Sequence, residues 1–355
     1  MYRQDRKNFM QKQYKNILIV NLVNLGDVVF STACLAILRQ AYPQAQITYM
    51  ARPKIIEVLQ NHSCVDVLLD YEYKSKGSKL EVLKFAKKLR QQNYDLAISL
   101  DRRPRTAIIL WLAGIPERIG ADKLYSEKTS WSSVFNTQTI KMGYKLDERL
   151  QYENYQEFMR RFTGIQESYL PQIAPAPTKN QLKAASLLGE KPQGHKRLVL
   201  CARALFPLKN WPATKFAQLL QKIKQRYLVE LVIIGTQEDY GYAQTIINES
   251  GEAVKNLCGQ TELLDLIAVY NLSDLMISVD NGAAHLAAAT GLPIISIFGP
   301  TTPVRARPAT PISESVYLAL PCSPCLQQEC AHHDCMQQIS VDQVLLALER
   351  VWLKL

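Results

Sequence analysis

The feature that most constrains this chain is an alternation of short apolar strands with helical segments. Residues 16–22 (NILIVNL) form a continuous apolar strand rich in β-branched residues, and a tight turn and a helical stretch to about residue 40 follow. Further apolar strands alternate with helices along the first half, at residues 47–50, 65–69 and 96–100. This alternation predicts a parallel sheet with helices on both faces.

The same alternation starts again in the second half. Strands are predicted there at residues 197–201, 229–234, 275–279 and 293–298, again separated by helices. Residues 122–154 are polar and irregular, and residues 169–177 contain three prolines. A chain of 355 residues also exceeds the usual size of one hydrophobic core. We therefore predict an α/β protein with two Rossmann-like, doubly wound domains, at residues 1–168 and 191–338. Residues 169–190 are the predicted linker, and a helix at 339–355 is expected to pack back on the N-terminal domain.

The charge of the chain favours anionic partners. Lys and Arg total 42 against 32 Asp and Glu, a formal net charge of +10. Such a surface attracts phosphorylated molecules or an anionic membrane face, and nucleic acid fits the charge equally well. No run of about 18 apolar residues occurs, and residues 1–15 lack the apolar centre of a signal peptide. We expect a soluble, cytoplasmic protein.

The most informative motif is Asp280-Asn281-Gly282-Ala283-Ala284-His285, between an apolar strand and an alanine-rich helix. Ligands of open α/β sheets bind at such strand ends. Gly282 permits close approach of a diphosphate to the backbone, the helix N-terminus attracts negative charge, and His285 lies on the first turn. The alternative is that Asp280 or Asn281 only caps the helix. The later turn Phe298-Gly299-Pro300-Thr301 favours a binding site, because a second strand ends there beside a hydroxyl.

Three motifs in the same order resemble glycosyltransferase family 9, the bacterial heptosyltransferases. They are NLGDVV near the N-terminus, KNWP, and DNGAAHLAAATGLPIISIFGPT. The resemblance spans nearly the whole chain. It implies a GT-B fold, in which two Rossmann-like domains face a central cleft. It also implies an inverting, metal-independent transfer of heptose from a nucleoside diphosphate sugar, ADP-heptose in most members, to a lipopolysaccharide or lipooligosaccharide core.

The resemblance also implies the cellular setting and the domain roles. The donor is expected in the C-terminal domain and the anionic lipid A-core acceptor in the N-terminal domain. No cofactor and no metal are expected. The protein would work at the cytoplasmic face of the inner membrane, in peripheral contact with it.

The family match assigns two catalytic residues. Asp27, directly after Gly26, matches the general base that takes the acceptor proton. Spacing alone equally allows Asp27 to be a helix cap, and capping does not exclude catalysis. Lys209, in Lys209-Asn210-Trp211-Pro212, matches the lysine at the donor phosphate, where a cation stabilises the departing diphosphate. Without the family match, a loop lysine is usually only solvated.

The remaining donor residues follow from the same match. Glu238 corresponds to the acidic residue expected on the ribose hydroxyls, although its neighbour Asp239 is an alternative. Gln260 and Thr261 lie where the family binds the base. The full predicted donor set comprises Glu238, Gln260, Thr261, Asp280, Asn281, Gly282, His285 and Thr301. The loop 202–206 lacks the threonine pair or Pro-Gly-Ala of many members, which leaves the donor sugar open.

A basic cluster of the first domain is a candidate acceptor site. Its arginines and lysine would hold phosphate or carboxylate groups of the core oligosaccharide. An exposed charged loop is the alternative. With Gly26, the predicted acceptor residues are Arg52, Lys54, Arg102, Arg103 and Arg105.

Four cysteines form the pattern C-x2-C-x4-C-x4-C, at Cys322, Cys325, Cys330 and Cys335. The spacing resembles a zinc knuckle, and reduced thiols or a disulfide are the alternatives. With the basic charge, a zinc knuckle would suit a nucleic-acid-binding protein, which is the rival function. Another nucleotide-sugar enzyme is a third hypothesis, but the first strand is not followed by G-x-G-x-x-G.

Overall fold

The computed structural model describes residues 12–72, 79–101, 103–122, 131–142, 148–325, 327 and 329–355. The chain divides into two compact units, Met1–Ala174 and Pro175–Leu355. Each contains one six-stranded sheet. No helix among these residues is long and apolar enough to cross a membrane.

The sheet of the first unit is parallel throughout, with strand order β3-β2-β1-β4-β5-β6. Its strands are β1 Asn16–Val20, β2 Gln46–Ala51, β3 Val67–Asp70, β4 Leu96–Ser99, β5 Glu117–Ala121 and β6 Gln138–Ile140. The central strand β1 is apolar because both of its faces are covered, and its last four residues are fully buried. This order is that of the Rossmann fold.

Four α-helices of the first unit are described. They are α1 Leu25–Ala41, α2 Lys79–Arg90, α3 Pro104–Leu112 and α4 Gln151–Thr163. Helix α4 packs along α1 and buries Tyr155, Phe158 and Met159. It ends at Gly164, whose φ of 82° is the left-handed conformation that favours glycine after a helix. Short 3₁₀ helices occupy Ile55–Leu59 and Trp131–Phe135.

The second unit repeats this topology, with strand order β12-β11-β10-β7-β8-β9 and every pairing parallel. The strands are β7 Lys196–Cys201, β8 Val229–Ile233, β9 Val254–Asn256, β10 Leu275–Val279, β11 Ile294–Phe298 and β12 Ser313–Tyr317. Two Rossmann-like parallel sheets confirm the predicted fold class.

The helices of the second unit cover its sheet. They are α5 Thr178–Leu188, α6 Ala213–Arg226, α7 Tyr240–Ser250, α8 Leu263–Asn271, α9 Gly282–Ala289, α10 Pro303–Ala306, α11 Asp334–Gln337 and α12 Val341–Trp352. Helix α9 has the alanine-rich composition expected of a short helix packed closely between strands, and six of its eight residues are buried.

Two features of the domain organisation differ from the sequence-based expectation. The predicted linker 169–190 contains helix α5, which packs on α8 within the second unit, and the units divide at Ala174. The predicted C-terminal helix, α12, contributes to the core of the second unit. Its apolar face packs on β11, β12 and α6, and residues such as Val344 and Leu348 belong to the core of the second unit. An amphipathic pattern shows that a helix is buried but not against which partner.

Candidate functional site

The strand order of each sheet creates one natural ligand position. In the second unit the order reverses between β7 and β10, so the loops that follow these strands diverge at the carboxyl edge. Open α/β sheets bind ligands in this crevice. Asp280 and Asn281 directly follow β10, and Arg203 follows β7. The sequence motif therefore lies at the topological switch point.

Asp280 is the centre of a compact polar cluster. Its side chain is only 4% exposed. One carboxylate oxygen, Oδ2, is 2.6 Å from Lys209 Nζ and accepts a 2.6 Å hydrogen bond from the Thr301 hydroxyl. The turns after β7 and β11 thus meet at the carboxylate that follows β10. Lys209, Asp280 and Thr301, three predicted donor-site residues, are brought together.

His285 is adjacent to the same carboxylate. Its Nε2 lies 3.7 Å from Asp280 Oδ1. Burial lowers the pKa of His285 to about 4. The negative charge of Asp280 raises this pKa and the positive charge of Lys209 lowers it, but both effects are smaller than that of burial. The imidazole is therefore neutral at physiological pH and acts through hydrogen bonding, not as a cation.

The N-terminus of α9 is shaped by Asn281. Its side-chain Oδ1 accepts the N–H of Ala284, so Asn281 is the helix N-cap, as the capping alternative held. Its Nδ2 donates to Cys201 Sγ and to the backbone oxygen of Arg203, at 3.2 and 3.0 Å. Capping and site formation coincide here, because the same amide joins the β10 and β7 loops. Gly282 is the first helical residue and is half-buried.

The loop after β8 places Glu238 and Asp239 in different environments. Asp239 Oδ2 accepts from both the backbone N–H and the hydroxyl of Thr236, and Asp239 Oδ1 is 3.2 Å from Arg203 Nη1. Asp239 therefore holds the loop, whereas the Glu238 side chain is exposed. Hydrogen bonding with Thr236 lowers the pKa of Glu238. Gly235 is required at this point, because a Cβ would lie 2.8 Å from Cβ of Asp239.

The predicted base-binding residues follow the tight turn at Gly259. Its φ is +77°, and a Cβ would lie 2.1 Å from Gln237 Oε1, so only glycine fits. Gln260 is exposed and donates its amide to the Asn256 carbonyl at 2.8 Å. The Thr261 hydroxyl is buried and has no hydrogen-bond partner among the described residues. A buried hydroxyl of this kind is costly unless a ligand or water satisfies it.

Arg203 is a residue of this site that the sequence analysis noted only as a departure from the family pattern. Its guanidinium pairs with Asp239, donates to the Glu238 carbonyl at 3.4 Å, and lies 5.4 Å from the Tyr242 ring centroid. It connects the β7 loop to the β8 loop. A single arginine between two turns gives no local sequence signal for such a role.

The turn that contains Lys209 is fixed from behind. Trp211 is fully buried, and its indole N–H donates to the Ile339 carbonyl at 3.1 Å. His333 Nε2 lies 2.6 Å from the Leu208 carbonyl, and Asn210 Oδ1 accepts the Ala204 N–H at 2.8 Å. The family motif KNWP thus has a structural function, which is to hold the lysine toward Asp280.

The cysteine cluster lies behind the same turns. Cys325 N–H donates to the Pro300 carbonyl, and a Cβ on Gly299 would lie 3.2 Å from Cys335 Sγ. Cys335 is buried, and this burial raises the pKa of its thiol. The nearby thiols of Cys325, Cys322 and Cys330 raise it further. All eight cysteines are free thiols. Among the described residues, which include all four cysteines, no group of three or more His, Cys, Asp or Glu side chains is arranged to hold a metal ion.

Asp27 lies at the switch point of the first unit, in the first turn of α1. Asn24 precedes that helix as its N-cap, so the alternative of Asp27 as the cap is wrong. The Asp27 side chain is half-buried, and its Oδ1 accepts a 3.3 Å hydrogen bond from the Tyr155 hydroxyl. Asn21 donates its amide to the Asp27 carbonyl at 3.1 Å. Gly26 is buried beside it.

Tyr155 was not identified from the sequence. It lies 128 positions from Asp27, on α4, and is fully buried. Its ring contributes to the interface of α4 with α1, so its pattern is that of a core residue. Only the packing of these two helices shows that its hydroxyl reaches the carboxylate.

The predicted acceptor cluster is only partly available. Arg103 Nη1 donates to the Leu22 carbonyl at 3.0 Å, and its Nε is 3.8 Å from the buried Asp101. Its guanidinium thus joins the β1 and β4 loops instead of standing free for an anion. Arg52 and Lys54 are exposed and Arg105 is half-buried. Arg102 lies outside the described residues.

Comparison with known proteins identifies the family. The model of glycosyltransferase family 9 (heptosyltransferase) matches residues 82–336. A curated Escherichia coli relative, lipopolysaccharide heptosyltransferase 3, is 28% identical over 299 residues, 80% of this chain and 83% of that protein. A solved family 9 glycosyltransferase from Veillonella parvula has a TM-score of 0.83 at 21% identity, over 97% of this chain and 98% of that one. An Escherichia coli heptosyltransferase solved with ADP has a TM-score of 0.73 at 18% identity, over 95% and 99% of the two chains.

These similarities extend over both units and include the motifs that form the polar cluster around Asp280. The nucleic-acid-binding alternative is not favoured, since the matched proteins are glycosyltransferases. The family model covers well over half of the chain, and the fold of both units agrees with it. This chain belongs to glycosyltransferase family 9, the heptosyltransferase family, and is a glycosyltransferase.

Proposed function

We propose that this enzyme transfers heptose from ADP-heptose to a hydroxyl of a lipopolysaccharide or lipooligosaccharide core, with inversion and without a metal ion. Family membership supports the reaction class. The names of its relatives support the acceptor class, and the solved heptosyltransferase complex with ADP supports the nucleotide. The observation in this chain that most supports the proposal is the cluster of Lys209 and Thr301 around the buried Asp280, beside the N-terminus of α9.

The proposed diphosphate site combines a cation, a helix N-terminus and a neutral imidazole. Lys209 is a cation with 23% of its side chain exposed, so one flank remains accessible to a ligand while Asp280 fixes the other. The first-turn N–H groups of a helix have no intrahelical partners and attract anions. Neutral His285 supplies a hydrogen bond without adding charge. In this proposal, Lys209 stabilises the charge that develops on the departing diphosphate.

The nucleoside would be bound by the loops after β8 and β9. The exposed Glu238 carboxylate is proposed to bind the ribose hydroxyls, since Asp239 already holds its own loop. The buried, unpaired Thr261 hydroxyl would gain a partner from the bound nucleotide, with Gln260 beside it.

Asp27 is the proposed general base. The acceptor hydroxyl oxygen forms a bond to the anomeric carbon, the bond from that carbon to the diphosphate oxygen breaks, and the acceptor proton passes to the Asp27 carboxylate. Attack opposite the leaving group inverts the anomeric centre. Tyr155 orients the carboxylate through its hydrogen bond to Oδ1. Arg52, Lys54 and Arg105 are the proposed contacts for anionic groups of the acceptor, at the cytoplasmic face of the inner membrane.

The donor assignment is tested by thermal shift with ADP, UDP, GDP and their sugars. We expect stabilisation by ADP and ADP-heptose and no comparable shift with UDP or GDP compounds. Lys209→Met should reduce the ADP shift strongly, and the control variant Lys179→Met, at an exposed position on α5, should not. Stabilisation by UDP or GDP sugars alone would exclude ADP-heptose as the donor.

The mechanism is tested with Asp27→Asn, which preserves the shape of the side chain. It should keep the ADP-induced shift and lose transfer, because an amide cannot accept the acceptor proton. Retained turnover would remove Asp27 from the base role. Transfer in the presence of EDTA, and the anomeric configuration of the product by NMR, test metal independence and inversion separately.

A further inference from the structure

The first unit displays an exposed aromatic surface that includes none of the proposed donor or acceptor residues. Trp131 is 81% exposed and Val134 is 71% exposed, both on the 3₁₀ helix Trp131–Phe135. Side chains three residues apart eclipse one another in a 3₁₀ helix, so these two share one face. Trp111, on α3, is 52% exposed, and its ring centroid lies 5.9 Å from that of Phe135. We call Trp111, Trp131 and Val134 the aromatic face.

The aromatic face is the outer side of an anchored element. Ser132 is 5% exposed, Phe135 is half-buried against Trp111, and the 3₁₀ helix packs on α3 and β5. Single exposed apolar residues are ordinary on protein surfaces, but clustered ones indicate an interaction site. Tryptophan favours positions where an apolar environment meets a polar one, because its ring is apolar and its N–H needs a partner.

Charge identifies the kind of partner. The first unit contains 26 Lys and Arg against 17 Asp and Glu, a net charge of +9, whereas the second unit contains 16 against 15, a net charge of +1. Helix α2, which packs on α3, exposes Lys84, Lys87 and Lys88. Almost the whole positive excess therefore lies in the unit that contains the aromatic face. A second copy of the same unit would be repelled, whereas an anionic lipid surface is attracted.

We propose that the aromatic face binds an anionic lipid bilayer, with Trp131 and Val134 inserted among the lipid headgroups. The basic side chains of the first unit, including those of α2, add electrostatic attraction to the lipid phosphates. The inference rests on the proposed function for the membrane setting, and it adds the surface that contacts the lipid. Bilayer binding itself requires neither the donor nor the acceptor, so the two are tested separately.

The test is co-sedimentation of the full chain with vesicles that contain no lipopolysaccharide. Binding is expected to phosphatidylglycerol vesicles, to be weak on phosphatidylcholine vesicles, and to decrease as salt is raised. The double variant Trp131→Ser, Val134→Ser should bind at least about tenfold more weakly, because it removes the inserting side chains. The matched control is Leu346→Ser on α12 of the second unit, where the leucine is 50% exposed. This variant should bind the vesicles as the wild type does.

A spectroscopic measurement makes the location specific. Brominated lipids should quench the fluorescence of the wild type and quench Trp131→Phe less, while Trp211 is fully buried and should contribute no lipid-dependent change. The double variant should keep its melting temperature and its thermal shift with ADP, because the altered side chains are exposed.

Unchanged vesicle binding by the double variant would overturn the proposal. If the double variant changed its oligomeric state and still bound vesicles as the wild type does, the proposal would also be overturned, because the partner of the aromatic face would then be a second copy of the chain. Vesicle binding in a wild type that ignores every nucleotide would refute the donor assignment alone.

Discussion

Replacing Lys209 by Met separates the structural role of the cluster around Asp280 from its proposed catalytic role. Methionine keeps an unbranched apolar side chain but removes the cation. Asp280, 4% exposed, retains the hydrogen bond from Thr301 and loses the ion pair at 2.6 Å. The variant should therefore be destabilised, because a buried carboxylate is left without its cation, and should lose transfer, because the diphosphate loses its positive partner.

The two effects have different magnitudes. Breaking a buried ion pair costs ~3–5 kcal/mol, and the 23% exposure of Lys209 favours the lower limit, about 3 kcal/mol. For a unit of this size, each kcal/mol shifts the melting temperature by ~2–4 °C, so a decrease of ~6–12 °C is expected. Loss of one group that stabilises the leaving charge lowers kcat by ~100- to 1000-fold.

The double variant Lys209→Met, Asp280→Asn distinguishes these effects. Removing both charges has little effect on the free energy of unfolding, so the double variant should recover most of the decrease in melting temperature. Transfer should not return, because the cation is absent from both variants. Differential scanning calorimetry gives the first quantity, and single-turnover kinetics with saturating donor gives the second.

Two outcomes would refute this reasoning. A Lys209→Met variant as stable as the wild type would show that the ion pair does not stabilise the second unit. Recovery of transfer in the double variant would show that Lys209 only neutralises Asp280 and does not act on the diphosphate.

Three further predictions follow from other contacts. Tyr155→Phe removes the hydroxyl that binds Asp27, so kcat should fall about fivefold, a loss of ~1 kcal/mol, with ADP binding unchanged; an unaltered kcat would exclude the orienting role. Gly299→Ala places a Cβ 2.5 Å from Met336 Sδ, so unfolding should become easier by ~1–3 kcal/mol, with partial rescue by Met336→Ala; a fully stable single variant would contradict this contact. Burial lowers the pKa of His285 to about 4 in the folded protein, whereas in the unfolded chain the pKa of this side chain is ~6.5. As the pH falls, His285 is therefore protonated in the unfolded chain before it is protonated in the folded protein. Stability should fall as pH drops from ~6.5 toward 4, by at most ~3 kcal/mol, and His285→Gln should flatten that part of the profile measured by urea unfolding; an unchanged profile would refute the low pKa.

The sequence determined the fold class because the central strands of parallel sheets are buried on both faces. Strands β1, β10 and β11 are almost wholly apolar, and β7 is apolar after Lys196 and Arg197; all four were predicted close to their observed positions. The edge strands β6, β9 and β12 were not predicted, and neither was β5, which lies beside β6. They are short and mixed in polarity, since only part of each is covered, and their apolar pattern is correspondingly weak.

The sequence also pointed to the residues around Asp280, because a glycine and a histidine at the start of an alanine-rich helix form a local motif; their role in donor binding stays a prediction. Only the tertiary structure decided the contacts. Lys209 and Asp280 are 71 positions apart, and they meet because β7 and β10 are neighbours at the switch point. Asp239 pairs with Arg203 of the β7 loop, and Tyr155 reaches Asp27 through helix packing. Such contacts join distant segments, so each residue alone has the pattern of an ordinary loop or core position, and only the folded chain gives it a role.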